Sequence, residues 1–397
     1  MRVLVASTGN VGHFSPVVPL ARALEAAGDE VRVATPASFA DRVRAHGFAA
    51  APVDDPAPDE LEAVYRTLPR PGADLAQSSA AIRDLSNLIM VRDVFGGVDA
   101  RAALPGMLAH IDAFAPDLVL REPAEVASLV ASQLRSVPHV QYGIGTVTMV
   151  QFMVDGLRSS LAAFERELDL ADRSLADAAL RAPLFTHAPE VFDEGSVETA
   201  APRSVHRFRL PASDRDRGGA LPSWGDPDAP LVYATFGSVA ATMAFEGLYR
   251  SVMAALGGVD ARVLLTTGEG GTAEALRPWP DNVRVEQWWP QAEVMPHTAA
   301  MVGHGGFGTT TTALAAGVPQ VVIPLFATDQ WINAARVRDI GVGLELDAGP
   351  DLADVLADAV RTAIEDPRMR AAARAVRNDM VALPHARDLV QALHDAA

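Results

Sequence analysis

The 397-residue sequence contains no cysteine and no lysine, so all 33 of its basic residues are arginines. The absence of cysteine excludes disulfides, thiol nucleophiles, iron–sulfur clusters and thiolate zinc sites. The absence of lysine excludes a Walker-type phosphate loop, a Schiff-base lysine for pyridoxal phosphate and a lysine general base. Hydroxyl, carboxylate and imidazole groups therefore remain for any chemistry that the chain performs.

Positive charge and long apolar runs are also scarce. Fifty acidic residues give a net charge of −17, which repels nucleic acid and anionic membranes, so neither is expected as a partner. The longest stretch without acid or arginine, 294–328, is broken by prolines, glycines and threonines, which argues against a membrane span. The opening MRVLVASTGN has too short an apolar part for a secretory signal, so a cytoplasmic location is expected.

What the chain does contain is an alternation of short apolar runs and longer amphipathic segments, with 49% hydrophobic residues. This pattern predicts an α/β fold with parallel sheets and crossover helices. The length exceeds what one core usually serves, so two Rossmann-like domains facing each other across a deep cleft are expected. We place these domains at 1–210 and 230–380, a linker at 211–229, and a C-terminal helix that packs back on the first domain at 381–397.

Individual elements follow from the same pattern. The runs RVLVAS, EVRVAT, FAAAPV, DLVL and HVQY predict strands of the first domain, and a helix should begin with Ser15 as its cap and end before Gly28. The alternation weakens over 54–101 and 143–189, where irregular insertions are expected to bind the substrate. An apolar substrate lining is predicted from these side chains: Leu88, Met90, Phe95, Met149, Phe152 and Met153.

The stretch GHGGFGTTTTALAAG, residues 303–317, carries the strongest local signal. The preceding apolar run predicts a strand and the threonine–alanine run predicts a helix that ends at Gly317, so a strand-to-helix turn lies between them. Such a turn offers backbone N–H groups to anions at the carboxyl edge of a parallel sheet. With His304, Thr309 and Thr310 as further donors, the turn predicts a diphosphate site; the alternative is that its glycines only tighten the turn.

The segments WWPQ (288–291), GHGGFGTTTTALAAGVPQ (303–320) and DQ (329–330) together closely resemble the donor-binding signature of nucleotide-sugar-dependent glycosyltransferases that act on small molecules. This is the family of plant secondary-product and bacterial antibiotic glycosyltransferases. The opening GNVGHFSPVVPLARALEAAGDEV also resembles that family's N terminus, so the resemblance extends over essentially the whole chain. It implies the GT-B arrangement of two Rossmann-like domains, with donor bound mainly by the C-terminal half, acceptor by the N-terminal half, and metal-independent inverting transfer.

The resemblance also implies roles for single residues. Trp288 should stack on the nucleobase and Gln291 should lie near the base or ribose. The remaining donor contacts are the diphosphate-binding His304, Gly306, Gly308 and Thr309, the loop residues Thr235, Gly237 and Ser238, and the sugar-binding pair Asp329 and Gln330. Plant members carry a glutamate for the ribose hydroxyls where this chain has Thr312, which leaves the choice between uridine and thymidine donors open.

Transfer of a sugar to a hydroxyl needs a base that takes the hydroxyl proton, and imidazole suits this near neutral pH. His13 lies in the loop after the first strand and matches the family's catalytic histidine. Glu122, two residues after the run PDLVL, stands at the position of the family's aspartate that orients the histidine. Asp117, at the start of that strand, is a poorer candidate.

The expected function is an inverting, metal-independent transfer of a hexose or deoxyhexose from a UDP- or TDP-sugar to a hydroxyl of a hydrophobic natural product, with no other cofactor. A catalytically silent nucleotide-sugar binder and a sugar-nucleotide epimerase are the alternatives. A two-domain NAD enzyme ranks lower, because STGNVGH lacks the spaced three-glycine fingerprint. The acidic pairs Asp214/Asp216 and Asp226/Asp228 have metal-motif spacing but lie in the linker, where turn residues are expected.

Overall fold

The computed structural model describes residues 1–69, 80–170, 172–193, 204–210, 221–237, 246–268 and 273–397. The chain divides into two compact units. The first takes in the described residues up to Phe208 together with Pro384–Ala397, and the second runs from Arg209 to Leu383. Half of the predicted linker, 211–220, lies outside the described residues, and so do Asp214 and Asp216. Within the other acidic pair, Asp226 Oδ1 accepts the Asp228 N–H at 3.0 Å, as in an Asx turn.

In the described part of the first unit, seven parallel strands form one sheet in the order β3-β2-β1-β4-β5-β6-β7. Apolar runs form these strands because both faces of a parallel sheet are covered by helices. The predicted runs RVLVAS, EVRVAT, FAAAPV, DLVL and HVQY are confirmed as the first five strands. The strands are β1 (Arg2–Ala6), β2 (Glu30–Pro36), β3 (Ala49–Val53), β4 (Leu118–Arg121), β5 (His139–Tyr142), β6 (Leu184–Thr186) and β7 (Val205–Arg207).

The second unit repeats this design. Its described residues form a parallel sheet of six strands in the order β10-β9-β8-β11-β12-β13. The strands are β8 (Leu231–Thr235), β9 (Arg262–Thr266), β10 (Val283–Glu286), β11 (Thr298–Gly303), β12 (Gln320–Val322) and β13 (Gly343–Glu345). Two parallel sheets, each with flanking helices, confirm the predicted α/β fold.

Each sheet is covered on both faces, because successive strand residues point to opposite sides. In β1, Val3 and Val5 belong to one buried cluster, whereas Leu4 and Ala6 belong to the other. The first of these clusters includes Val390 and Leu393, so the C-terminal segment completes the core of the first unit.

The helices of the described residues lie between and after these strands. No helix in these ranges combines the length and the apolar character needed to cross a membrane. The helices are Val11–Phe14, Val18–Ala26, Ala40–Ala45, Pro58–Tyr65, Ala80–Ile89, the π-helix Met90–Asp99, Ala100–Phe114, Val126–Arg135, Val147–Glu167, Leu175–Arg181, Glu190–Asp193, Glu246–Gly257, Gln291–Val294, Phe307–Ala316, Thr328–Asp339, Leu352–Glu365, Pro367–Ala382 and Val390–His394.

Two local predictions are wrong. Ser15 does not begin the first helical segment, because Asn10 caps a turn starting at Val11 and accepts the Gly12 N–H at 2.8 Å. The range 143–189 is not irregular, since it contains the long helix Val147–Glu167. The buried side chains of that helix keep helical spacing, and a Cβ on Gly156 would lie 2.8 Å from Val91 Cγ1, so the glycine allows close helix packing.

The strand order reverses at one place in each sheet. In the first sheet β1 lies between β2 and β4, and Ala6 pairs with Arg121. In the second sheet β8 lies between β9 and β11, and Thr235 pairs with Gly303. The loops after these strand ends diverge to opposite faces, and ligands of open parallel sheets bind in the crevice this creates.

Candidate active site

The reversal point of the first sheet brings His13 and Glu122 together. The loop after β1 leads into the turn Val11–Phe14, which carries His13, and Glu122 directly follows β4. His13 Nδ1 lies 3.0 Å from Glu122 Oε1. The imidazole is 22% exposed and the carboxylate is fully buried, so the pair presents its histidine and not its acid to solvent.

Several hydrogen bonds hold the Glu122 carboxylate in its ionised form. Burial by itself would raise the pKa of Glu122, but the His13 charge and hydrogen bond, with N–H donors of Ala124 and Thr8, bring its pKa below the usual value. An ionised carboxylate only accepts hydrogen bonds, so His13 Nδ1 donates to it. The other ring nitrogen, Nε2, is then the one that carries a lone pair in the neutral ring.

An aromatic ring flanks this histidine. The Phe95 and His13 ring centroids are 5.9 Å apart, with the rings tilted by 51°. Phe95 belongs to the π-helix Met90–Asp99, an irregular element of a kind often found at functional sites. Of the predicted apolar lining, Phe95, Met149 and Phe152 are partly buried, whereas Met153 lies in the core, which makes its assignment to the lining wrong.

The reversal point of the second sheet holds His304 between two glycines. A Cβ on Gly306 would collide with His304 Nε2, and a Cβ on Gly237 would lie 2.9 Å from His304 Cε1. Gly237 also has a φ of +76°, a conformation that favours glycine. The imidazole therefore packs against the backbone of both loops, and a side chain at either position would displace it.

The His304 ring is neutral in this environment. Burial lowers its pKa to about 4, and a backbone hydrogen bond at Thr235 opposes this shift only in part. A neutral imidazole carries one N–H donor and one acceptor nitrogen. Near neutral pH, the ring therefore carries no full positive charge, and because it has a single N–H, a hydrogen bond to a ligand would compete with the one at Thr235.

The predicted strand-to-helix turn is confirmed, with β11 ending at Gly303 and a helix running over Phe307–Ala316. No side chain of the described residues caps this helix at Gly306. The first N–H groups of a helix have no partner within it, so an uncapped N terminus attracts anions. A Cβ on Gly308 would meet no atom within 4 Å, which leaves the space beside its backbone open.

Two of the four threonine hydroxyl groups of this helix are engaged within it. Thr311 Oγ1 donates to the Phe307 carbonyl at 2.8 Å, and Thr312 Oγ1 donates to the Gly308 carbonyl at 2.7 Å. Thr309 differs, because its Oγ1 accepts a hydrogen bond from Gln291 Nε2 at 3.1 Å. The structure thus brings together Gln291 and Thr309, two residues predicted to contact the nucleotide sugar, from two neighbouring helices.

The pair Asp329 and Gln330 begins the helix Thr328–Asp339. Gln330 is buried, and its Oε1 accepts the N–H groups of Leu325 and Phe326 at 2.8 and 3.1 Å. Its side-chain carbonyl is therefore occupied by the backbone, and only the amide NH₂ remains to meet a sugar hydroxyl. Asp329 is half-buried in the first turn of the same helix.

The other predicted contacts lie around the same strand ends. Trp288 follows β10 and is 61% exposed, so one large aromatic face is open to a ligand. Thr235 is buried at the end of β8. Ser238 lies outside the described residues. Among the residues that the structure describes, no group of three or more histidine, aspartate or glutamate side chains is arranged to hold a metal ion.

The sequence analysis missed two supporting side chains. Asn333 is buried and donates from Nδ2 to the Gly305 carbonyl at 2.8 Å, which fixes the glycine turn. Tyr233 is buried in β8, with its hydroxyl 3.2 Å from Thr266 Oγ1 and hydrogen-bonded to Gln291. A polar aromatic residue inside the apolar strand LVYAT was the available signal for Tyr233.

Two family models match the chain. The one described as Erythromycin biosynthesis protein CIII-like, N-terminal domain, matches residues 22–204, and its C-terminal counterpart matches residues 250–396. The chain is 33% identical over 405 residues to the elloramycin glycosyltransferase ElmGT of Streptomyces olivaceus, with 100% of this chain and 97% of the relative covered.

Solved structures agree with these matches. The glycosyltransferase SnogD from Streptomyces nogalater superposes with a TM-score of 0.77 at 25% identity, with 100% of both chains covered. The glycosyltransferase SsfS6 from Streptomyces sp. SF2575, solved in complex with thymidine diphosphate, gives a TM-score of 0.72 at 25% identity over 100% of this chain and 99% of that chain. The predicted GT-B architecture is thereby confirmed.

Proposed function

We propose a specific reaction for this chain, which belongs to the EryCIII-like family of bacterial antibiotic glycosyltransferases. In this reaction a hexose or deoxyhexose passes from a TDP-sugar to a hydroxyl group of a hydrophobic natural product, with inversion at the anomeric carbon. No metal ion and no cofactor other than the nucleotide sugar takes part. The observation that carries the proposal is the buried carboxylate of Glu122 beside the partly exposed imidazole of His13.

In the proposed first half of the reaction, His13 is the general base. Glu122 holds the proton on Nδ1, so Nε2 is the nitrogen that takes the proton from the acceptor hydroxyl as that oxygen attacks the anomeric carbon. The positive charge that forms on the ring is stabilised by the buried carboxylate 3.0 Å away. Phe95 beside the imidazole provides an apolar surface for an acceptor with little polarity.

In the proposed second half, the second unit stabilises the departing nucleoside diphosphate. The bond between the anomeric carbon and the diphosphate oxygen breaks as the new glycosidic bond forms, and negative charge grows on the leaving group. We assign the stabilisation of this charge to the N–H groups at the uncapped helix start at Gly306, with His304 as a further donor. Donors of this kind need no metal ion to neutralise the diphosphate.

Two observations favour a thymidine nucleotide over a uridine nucleotide. The relative SsfS6 was solved with thymidine diphosphate. At Thr312, where plant members of the family place a glutamate for the ribose, the hydroxyl here bonds to the Gly308 carbonyl. A deoxyribose lacks the 2′-hydroxyl that a carboxylate would bind, so the absence of an acidic group suits TDP.

The test measures donor binding and transfer separately in His13→Ala and Glu122→Gln. Titration calorimetry with TDP should give dissociation constants within about twofold of wild type, because neither residue belongs to the proposed diphosphate site. The turnover number with a TDP-sugar and a phenolic acceptor should fall roughly 10²- to 10⁴-fold, the range of general-base contributions. His46→Ala, an exposed histidine of the same unit, serves as the matched control and should keep wild-type turnover.

Three results would contradict the proposal. Wild-type turnover in His13→Ala would remove the proposed base, and TDP binding without any transfer by the wild-type protein would indicate a silent binder. A sugar inverted without an acceptor would indicate an epimerase. The anomeric coupling constant of the product, measured by NMR, decides between inversion and retention.

A further inference from the structure

We propose that Arg121 is a positioning residue for the His13–Glu122 pair: its guanidinium closes the turn that carries Glu122 and thereby sets the direction of the carboxylate. The inference rests on the proposed function, in which Glu122 orients the base. Arg121 is the last residue of β4, so its side chain begins where the turn begins.

The guanidinium spans the turn with hydrogen bonds to its backbone. Arg121 Nη2 donates to the Glu125 carbonyl at 2.8 Å and to the Pro123 carbonyl at 3.3 Å, and Nε donates to the Glu125 carbonyl at 3.2 Å. Glu122 lies between these residues, and its own N–H donates to the Ala6 carbonyl at 3.3 Å. The turn is thus held at its start by β1 and at its end by the guanidinium.

The partners of these hydrogen bonds distinguish a positioning role of Arg121 from a general contribution to the stability of the fold. The hydrogen bonds that Arg121 donates to Pro123 and Glu125 end within four residues of it along the chain, on the turn itself. A buried arginine that tied the fold together would instead connect elements distant in sequence. Glu125 also connects the turn to the next helix, because its side chain caps the helix Val126–Arg135 by accepting the Ser128 N–H at 2.9 Å.

The burial and charge of Arg121 argue against a role that is limited to filling space in the core. The side chain is 1% exposed, and a buried charge destabilises a fold unless opposite charges face it. Burial lowers the pKa of Arg121, while the charges of Glu125 and Glu122 act in the opposite direction. A single cation thus faces two buried acids of the same turn, one of which contacts His13.

The geometry requires arginine and not simply a positive charge. The guanidinium is planar and presents several N–H donors in a fixed fork, so it can reach two carbonyl groups at once. A lysine at this position keeps the charge but has a single nitrogen on a flexible stem. Arg121→Lys therefore removes the fork while leaving the charge beside Glu122.

The experiment is a double-mutant cycle of Arg121→Lys, Glu122→Gln and the double variant, with kcat and the KM for the TDP-sugar measured for each. Arg121→Lys should lower kcat about 10- to 100-fold, as expected for misplaced catalytic groups, with KM within about twofold of wild type. In the Glu122→Gln background the same substitution should lower kcat by less than about twofold, because the carboxylate that Arg121 positions is absent. Arg135→Lys, an exposed arginine paired with Asp112, is the matched control and should keep wild-type kcat.

Each possible result either supports or overturns the positioning role of Arg121. Equal losses from Arg121→Lys in both backgrounds, or an unchanged kcat in the single variant, would overturn the inference about Arg121. Calorimetry monitors folding, and Arg121→Gln replaces Arg121→Lys if the latter does not fold. If neither variant folds, Arg121 is required for the fold itself and the inference is overturned. A Glu122→Gln variant with wild-type kcat would instead refute the proposed function.

Discussion

The free energy of unfolding of the second unit should fall as the pH is lowered from about 7 to about 5. In His304→Gln we expect this fall to be smaller by about 2 kcal/mol. The ring is 9% exposed, and burial lowers its pKa to about 4 from the ordinary 6.5. As the pH falls through this window, the unfolded chain takes up a proton at this histidine but the folded chain does not. The stability is therefore present at neutral pH and is lost with acidification.

The magnitude follows from the size of the pKa shift. One pKa unit corresponds to about 1.4 kcal/mol, so a shift from 6.5 to about 4 amounts to about 3 kcal/mol in total. About 2 kcal/mol of this is lost between about pH 7 and about pH 5, and the rest at lower pH. Glutamine does not titrate, so its variant lacks this contribution whatever its stability at neutral pH.

Urea unfolding followed by tryptophan fluorescence measures this loss selectively. All five tryptophans lie between residues 224 and 331, within the second unit. His297→Gln, an exposed histidine of the same unit, is the control and should show the full wild-type loss. If wild type and His304→Gln lose the same free energy over this pH range, the ring is not held neutral between its two glycines and the reasoning is wrong.

Further predictions concern the glycine turn and the exposed tryptophan. Gly305→Ala should lower the free energy of unfolding of the second unit by about 1–3 kcal/mol, because φ is +85° and the methyl group would lie 2.7 Å from the Gln330 carbonyl. Gly308→Ala should change it by less than about 0.5 kcal/mol in the same urea titrations, since its methyl group meets no protein atom. Trp288→Ala should leave stability nearly unchanged but weaken TDP binding at least about fivefold in calorimetry, the lower end of base–aromatic stacking; unchanged affinity would contradict the stacking role.

Much of the candidate site could be predicted because it depends on strand ends. Parallel strands place their carboxyl ends at one edge, so a histidine after β1 and a glutamate after β4 are neighbours once the strands pair. The turn after β11 was predictable for the same reason, with glycines before a threonine–alanine run. The supporting roles of Asn333 and Tyr233 could not be predicted, because both are polar residues in segments that otherwise indicate only a helix and a strand.

Some local patterns misled because packing overrode them. The range 143–189 was expected to be irregular, although the buried side chains over 147–167 follow helical spacing and Gly156 allows close contact with Val91. Ser15 has the features of a helix cap, but the preceding Asn10 starts a helical turn five residues earlier.

The sequence by itself determined the fold class, the strand-end positions of His13, Glu122 and His304, and the membership of a glycosyltransferase family. These depend on patterns over a few residues or on motifs, which are complete before the chain folds. Only the tertiary structure decided that Arg121 lies buried under the turn of Glu122 and that His304 stays neutral. Hydration and hydrogen bonding set both properties, and in the folded protein they depend on atoms that the chain brings together from distant positions.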